Sequence, residues 1–244
     1  MRTTLRLKAI LAGLLGALLG AGTSSANNGH GLAPSYTSQV LDAPWTWVAV
    51  GLVPCFAARS WSRSAFLGAV ALWTAVLCYD LMDLHFGVYT GLASADPSSP
   101  IVTDWLNLGS DVVGYGVVAT IAAAGLGLIV TVTRRGGVLG LLAQLVVPSY
   151  AAWESHARVR DFRAFGDNTA HVIGTNQAVT PISLAVAVFL LITGVARLGS
   201  AASATAQPQT SQFGQARPTA ADPRRPRHLF RKRSTYGTGT ELRC

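Results

Sequence analysis

The chain has 244 residues, half of them hydrophobic and only 12% charged, with a formal net charge of +8. That balance excludes an ordinary soluble domain, which carries about twice the charge, and equally an unfolded polar chain. Apolar surface in this proportion needs lipid as its solvent. Six segments approach the roughly 20 apolar residues that about 30 Å of hydrocarbon requires of a helix, at 9–26, 44–58, 65–84, 112–133, 137–153 and 178–197. The predicted fold is all-α, a polytopic six-transmembrane-helix bundle over residues 1–200, followed by a disordered basic tail over 201–244.

The first span follows "MRTTLRLK" and ends on small residues, the three-part form of a signal peptide as well as of a retained first helix. Cleavage after Ala26 would leave five spans. Retention is the expected outcome, because the run places Ala9, Gly13, Gly16 and Gly20 at intervals of three and four residues. Such a face lets two helix backbones approach closely in lipid, either inside one bundle or against a partner membrane protein. The second span holds Pro54 and Cys55, and its shortness calls for local thinning of the bilayer.

The third span ends in "YDLMDLH", with Asp80 and Asp83 on one helical face and His85 just beyond. The loop that follows, 85–110, is expected to carry a short helix at "TDWLNLG". The fourth span opens with Asp111 and contains Val113-Gly114-Tyr115-Gly116, the letters of a potassium-channel filter. The neighbours are wrong for one. Val112 stands where such filters usually carry Thr, Val117 where they carry Asp, and no charge interrupts Val112 to Thr133, so the glycines are expected to admit a neighbouring helix or a slight bend.

The fifth span contains Pro148 and ends in "WESH", bringing Glu154 and His156 to the same side as the acids of spans three and four. A loop over 154–177, with "HARVRDF" as a short helix, then leads to the sixth span. Intramembrane or interfacial acids are costly and are commonly retained through pairing or function. Asp80, Asp83, His85, Asp111, Glu154 and His156 therefore form a candidate outer-vestibule polar site, suited to a divalent cation or a proton relay. The alternative is that each is a solvated helix end, with Asp111 as an N-cap. No sequence spacing for a metal site occurs, no cofactor is implied, and no nucleophilic triad or phosphate-cradling loop points to an enzyme.

Charge places the two sides. With six spans, sixteen of the nineteen Lys and Arg residues fall on the cytoplasmic side, the exceptions being Arg158, Arg160 and Arg163 in one outer loop. Nine of the eleven acids fall outside. Both termini are expected in the cytoplasm, with the chain in the cell membrane. Cys55 falls near the inner end of its helix, Cys78 near the outer end of the next and Cys244 at the cytoplasmic terminus, a placement from which no structural disulfide is expected. Trp45, Trp47, Trp105, Trp153 and Trp61 sit near the interfaces, and Trp73 lies in mid-span.

From Ala201 the composition turns to Ala, Thr, Gln, Pro and Gly. Within this tail Arg224, Arg225, Arg227, Arg231, Lys232 and Arg233 fall within ten residues, a cluster expected to contact anionic lipid. No specific nucleic-acid partner is implied, because no recognition fold accompanies the charge.

The stretch from Ala43 to Leu72, the paired Arg134 and Arg135, and "LLAQLVVPSYAAWESH" resemble an uncharacterised family of small six-span membrane proteins from high-GC bacteria, over about residues 5–198. That resemblance implies no activity. The six-span plan and the small face of the first helix are also similar to the substrate-binding subunits of energy-coupling-factor vitamin transporters, although no vitamin pocket can be matched. Two functions are expected from the sequence: a permease-like or substrate-binding bundle for a small solute or cation, or a non-transporting scaffold or partner-docking subunit.

Overall fold

The computed structural model describes residues 2–93, 98–165 and 170–205. Seven helices follow in order: α1 (Arg2–Asn27), α2 (Leu32–Leu41), α3 (Pro44–Cys55), α4 (Trp61–His85), α5 (Trp105–Arg135), α6 (Gly137–Ala164) and α7 (Ala170–Thr205). Between α4 and α5 lie β1 (Thr90–Leu92) and β2 (Ile101–Thr103), an antiparallel pair in which Thr90 faces Thr103 and Leu92 faces Ile101. The described residues are all-α apart from this hairpin. The tail cluster Arg224 to Arg233 lies outside the described residues.

Among the described residues four helical segments are long and apolar enough to cross a membrane: Thr4–Asn27, Trp61–His85, Trp105–Arg135 and Ala170–Leu198. The other two predicted spans fall short for different reasons. α3 is apolar but has 12 residues, about 18 Å at 1.5 Å per residue. α6 has 28 residues but carries Glu154, Arg158, Arg160, Asp161 and Arg163 in its second half. The candidate spans leave large apolar side chains uncovered, with Leu18 and Leu106 73% and 85% exposed, the kind of surface that lipid contact would cover.

Contacts fix the helix directions. Gly13, Gly16, Gly20 and Ser24 of α1 meet Val70 and Thr74, Ala71, Ala75 and Asp83 of α4 in ascending order, so these two helices run parallel. α3 runs against α4, with Gly51 against Leu72 and the Ser64 hydroxyl donating to the Cys55 carbonyl at 2.9 Å. α5 also runs against α4: Gly116 meets Trp73 and Gly127 meets Ala65. The tight turn at Gly136 and Gly137, both at positive φ, then reverses the chain into α6. α7 touches the other helices sparsely, with His171 near its start in edge contact with Tyr36 of α2 and Gly194 near its end against Leu141 of α6.

The core lies where α3, α4 and α5 meet, around Cys55, Leu72, Val76, Ala119, Ala123, Leu126 and Val130. Small residues make the approach possible. A Cβ on Gly16 or Gly20 would come within 1.9 and 2.0 Å of the Ala71 and Ala75 carbonyl oxygens, so the helix-docking face predicted on α1 is filled by α4 of the same chain. Ala9, at the start of that face, is half-buried. Gly116 answers the question raised by the filter-like letters, because a Cβ there would sit 2.2 Å from the Trp73 ring, whose indole N–H donates to Thr120 Oγ1 at 3.0 Å. Gly114 meets nothing within 4 Å.

This arrangement gives the bundle two polar ends of opposite character. At one, Lys8 Nζ donates to the Ala57 carbonyl at 2.6 Å and Arg134 donates to the carbonyls of Phe56 and Ala58. These cations satisfy acceptors left open by the C-terminus of α3 and oppose its dipole. The other end collects Asp42, Asp80, Asp83 and Asp111.

Between the first two predicted spans α2 forms, with Pro34 in its first turn, where a missing N–H costs nothing. Three local expectations are corrected. "TDWLNLG" is no separate lid helix but the cap and first turns of α5, and "HARVRDF" continues α6. The N-cap of α5 is Asp104, which accepts from the Asn107 backbone N–H at 2.9 Å, and Asp111 sits two turns further in.

Candidate functional site

The acidic end is built by the way α4 stops. Its last turn closes with Gly87 N–H to Leu84 O and Val88 N–H to Asp83 O, and Gly87 has φ +79. This is a Schellman ending, which needs a residue tolerant of the left-handed region. The chain then turns into β1, and the Asp104 N–H donates to the Tyr89 carbonyl at 2.7 Å. Together these bonds hold Tyr89 between α4 and α5.

The Tyr89 hydroxyl lies 3.1 Å from Asp80 Oδ1 and 3.2 Å from Asp111 Oδ2. It has one proton, so it serves two carboxyl groups either by sharing that proton or by accepting from a protonated partner. Burial raises the phenol's pKa far above the ordinary tyrosine range, and the adjacent carboxylates push in the same direction. Tyr89 is therefore held neutral as a donor. Asp80 is 1% exposed, and its second oxygen, Oδ2, has no hydrogen-bond partner.

One helical turn away, Asp83 is used differently. Its Oδ1 accepts from Ser24 Oγ at 2.5 Å and from Asn28 Nδ2 at 3.1 Å, both from the end of α1 and the turn after it. Asn27 Nδ2 donates to the Tyr79 hydroxyl at 3.4 Å alongside. This polar latch closes the α1–α4 seam begun by the glycines.

Asp80 also lines a cavity of about 510 Å³. It runs along α4 from Asp80 to Leu72, eight residues, or about 12 Å. Val48 of α3, Val76 of α4 and Val118, Ala119 and Ala122 of α5 supply its apolar walls. Trp47, Tyr79, Tyr115 and Tyr150 supply aromatic ones, with Trp47 and Tyr79 in an edge-to-face pair at 6.1 Å. Asp42 is the second acid in the lining. A mostly apolar cavity of this volume with few polar groups has the form of a small-molecule site.

The six residues expected to share one vestibule thus divide. Asp80 and Asp111 are joined through Tyr89, and Asp83 is committed to α1. Glu154 pairs with Arg158 at 2.8 Å, four residues along α6, and among the described residues no hydrogen bond joins it to Asp80 or Asp83. His85 is exposed with its ring 5.5 Å from Phe86, and His156 is exposed on α6. Among the described residues no three His, Cys, Asp or Glu side chains converge to hold a metal ion. Cys55 and Cys78 are free thiols.

No family model, curated protein or solved structure matches this chain. Its functional reading rests on its own geometry. Tyr89, the lining tyrosines Tyr79 and Tyr150 and the lining acid Asp42 are what the sequence did not single out, while Trp47 was read only as an interfacial residue. A tyrosine two residues after a helix-ending glycine, beside an acid pair, is the signal that was there to find. Tyr115 was hidden within the filter-like letters.

Proposed function

We propose that this chain is an integral membrane bundle whose six apolar segments all cross the bilayer, and that it binds a small solute in the cavity at its acidic end in a substrate-binding or permease-like role. The observation that carries the reading is Asp80, a carboxyl buried in the wall of an apolar cavity with one oxygen unpartnered. An unpaired buried acid in a membrane helix is costly and marks a functional position by default. The alternating helix directions and the opposite charge of the two ends support six crossings. A thermal-shift screen of the purified protein against metals, vitamins and other small solutes tests it. A ligand at 100 times its dissociation constant should add about 2.7 kcal/mol, and the shift should vanish in Ala122→Phe, which fills the cavity. Absence of any stabilising solute leaves the scaffold reading, which α7 favours because few of its described residues, Val172, Asn176 and Ser183, are buried.

The tail is assigned to anionic lipid on the cytoplasmic side. A peptide of residues 220–236 should bind anionic vesicles, release as salt rises toward 1 M, and lose most of its affinity when Arg224, Arg225, Arg231 and Arg233 become Gln. Equal binding to neutral vesicles would remove the assignment.

A further inference from the structure

We infer that the cavity at the acidic end selects a protonated amine carried on an apolar body, with the ammonium group at Asp80. The inference rests on the binding role proposed above and names the class of ligand. Three observations converge on it.

The first is the hydrogen-bond inventory. Asp80 lines the cavity, its Oδ1 is taken by Tyr89, and its Oδ2 is buried beside that bond with no partner. An ionised carboxylate only accepts, so what completes it must donate, and a charged N–H donor makes the stronger bond. The terminal torsion of an aspartate is soft, so Oδ2 can turn to a donor in the cavity without backbone movement.

The second is charge. Asp80 and Asp42 line the cavity, Asp111 shares Tyr89 with Asp80, and no lysine or arginine is among the lining residues. A solute anion would find no counter-charge there, and a metal ion would lack ligands, since no three suitable side chains converge among the described residues. The lack of a basic partner also disfavours a phospholipid head group, whose phosphate accompanies its ammonium.

The third is the wall. Trp47, Tyr79, Tyr115 and Tyr150 line the same space, and aromatic faces attract a cation most strongly when water is excluded. Val76 and Ala119 then receive the apolar remainder.

Three probes with one phenylpropyl body test the assignment: phenylpropylamine, phenylpropanol and phenylpropionate, each titrated calorimetrically into the full chain in phosphatidylcholine nanodiscs, with empty nanodiscs subtracted. The amine should bind at least about tenfold more tightly than the alcohol, the range of one charge-assisted hydrogen bond, and the acid should bind weakest. Asp80→Asn should bring the amine to the level of the alcohol while alcohol binding persists. Ala122→Phe, which leaves the carboxylate in place, should abolish binding of both and serves if Asp80→Asn does not fold. Repeating the amine titration with phosphatidylethanolamine added separates two sources of ammonium: unchanged affinity assigns a free amine, and competition assigns a lipid head group. Equal binding of amine and alcohol, or tighter binding of the acid, overturns the amine assignment while the solute-binding role stands. Failure of all three probes, together with no stabilising solute in the broader screen, overturns both.

Discussion

Tyr89 is the residue on which the acidic end turns, because one phenol serves two carboxyl groups in a buried place. Tyr89→Phe keeps the ring and removes the donor. It should lower stability by about 1–3 kcal/mol, the cost of leaving a buried polar partner unsatisfied, read by thermal unfolding in detergent. Adding Asp80→Asn to it should recover part of the loss, so that the double-mutant cycle shows coupling. No measurable effect of Tyr89→Phe would show that Asp80 finds its partner elsewhere. Gly116 is a second point of this kind. Gly116→Leu should destabilise by forcing the Trp73 ring from its place, and Trp73→Ala in the same molecule should relieve it. Asp80 was legible in the sequence, as the acid deepest in an apolar run. Tyr89 was not, because its meaning depends on a turn and a hairpin pairing that carry no periodic pattern.

Among the elements, α1 and α4 show how far a sequence pattern reaches. The small residues at four-residue spacing announced a close helix contact, and hydropathy announced the four long helices, because both are local properties of one helix face. What the pattern could not convey was the identity of the facing helix, nor α2 and the β1–β2 hairpin, whose sequences are too short to show a repeat. Gly20→Leu should part α1 from α4 and lower stability by at least about 1–3 kcal/mol, since the obstruction is backbone 2.0 Å away, not a movable side chain. Gly125→Leu, on a face that meets nothing within 4 Å, is the matched control and should leave stability within about 0.5 kcal/mol. The same seam bears on processing. Loss of residues 1–26 would strip Ser24 from Asp83 and uncover Ala71 and Ala75, so intact mass measurement of the purified protein should find α1 present.

At the scale of the whole molecule, the segregation of charge between the two ends carries the orientation. Lys8 and Arg134 converge on the end of α3, while Asp42, Asp80, Asp83 and Asp111 gather at the opposite end. Basic residues flanking spans are retained in the cytoplasm, whereas acids contribute little to that choice, so the Lys8–Arg134 end is expected inside and the β1–β2 hairpin outside. α3 and α6 decide the number of crossings, since each is less apolar or shorter than a free-standing span. Each also packs one face on its neighbours, α3 on α4 and α5, and α6 on α5, which lets a short or polar helix reside at membrane depth where an isolated one would not. Single cysteines introduced by Ala93→Cys beside the hairpin and Val138→Cys at the start of α6, with the three native cysteines replaced by Ser, test this directly. A membrane-impermeant maleimide should label position 93 on intact cells and position 138 only after permeabilisation. The reverse pattern would invert the orientation, and labelling of both sites from outside would place α5 on one side of the membrane and end the six-crossing arrangement.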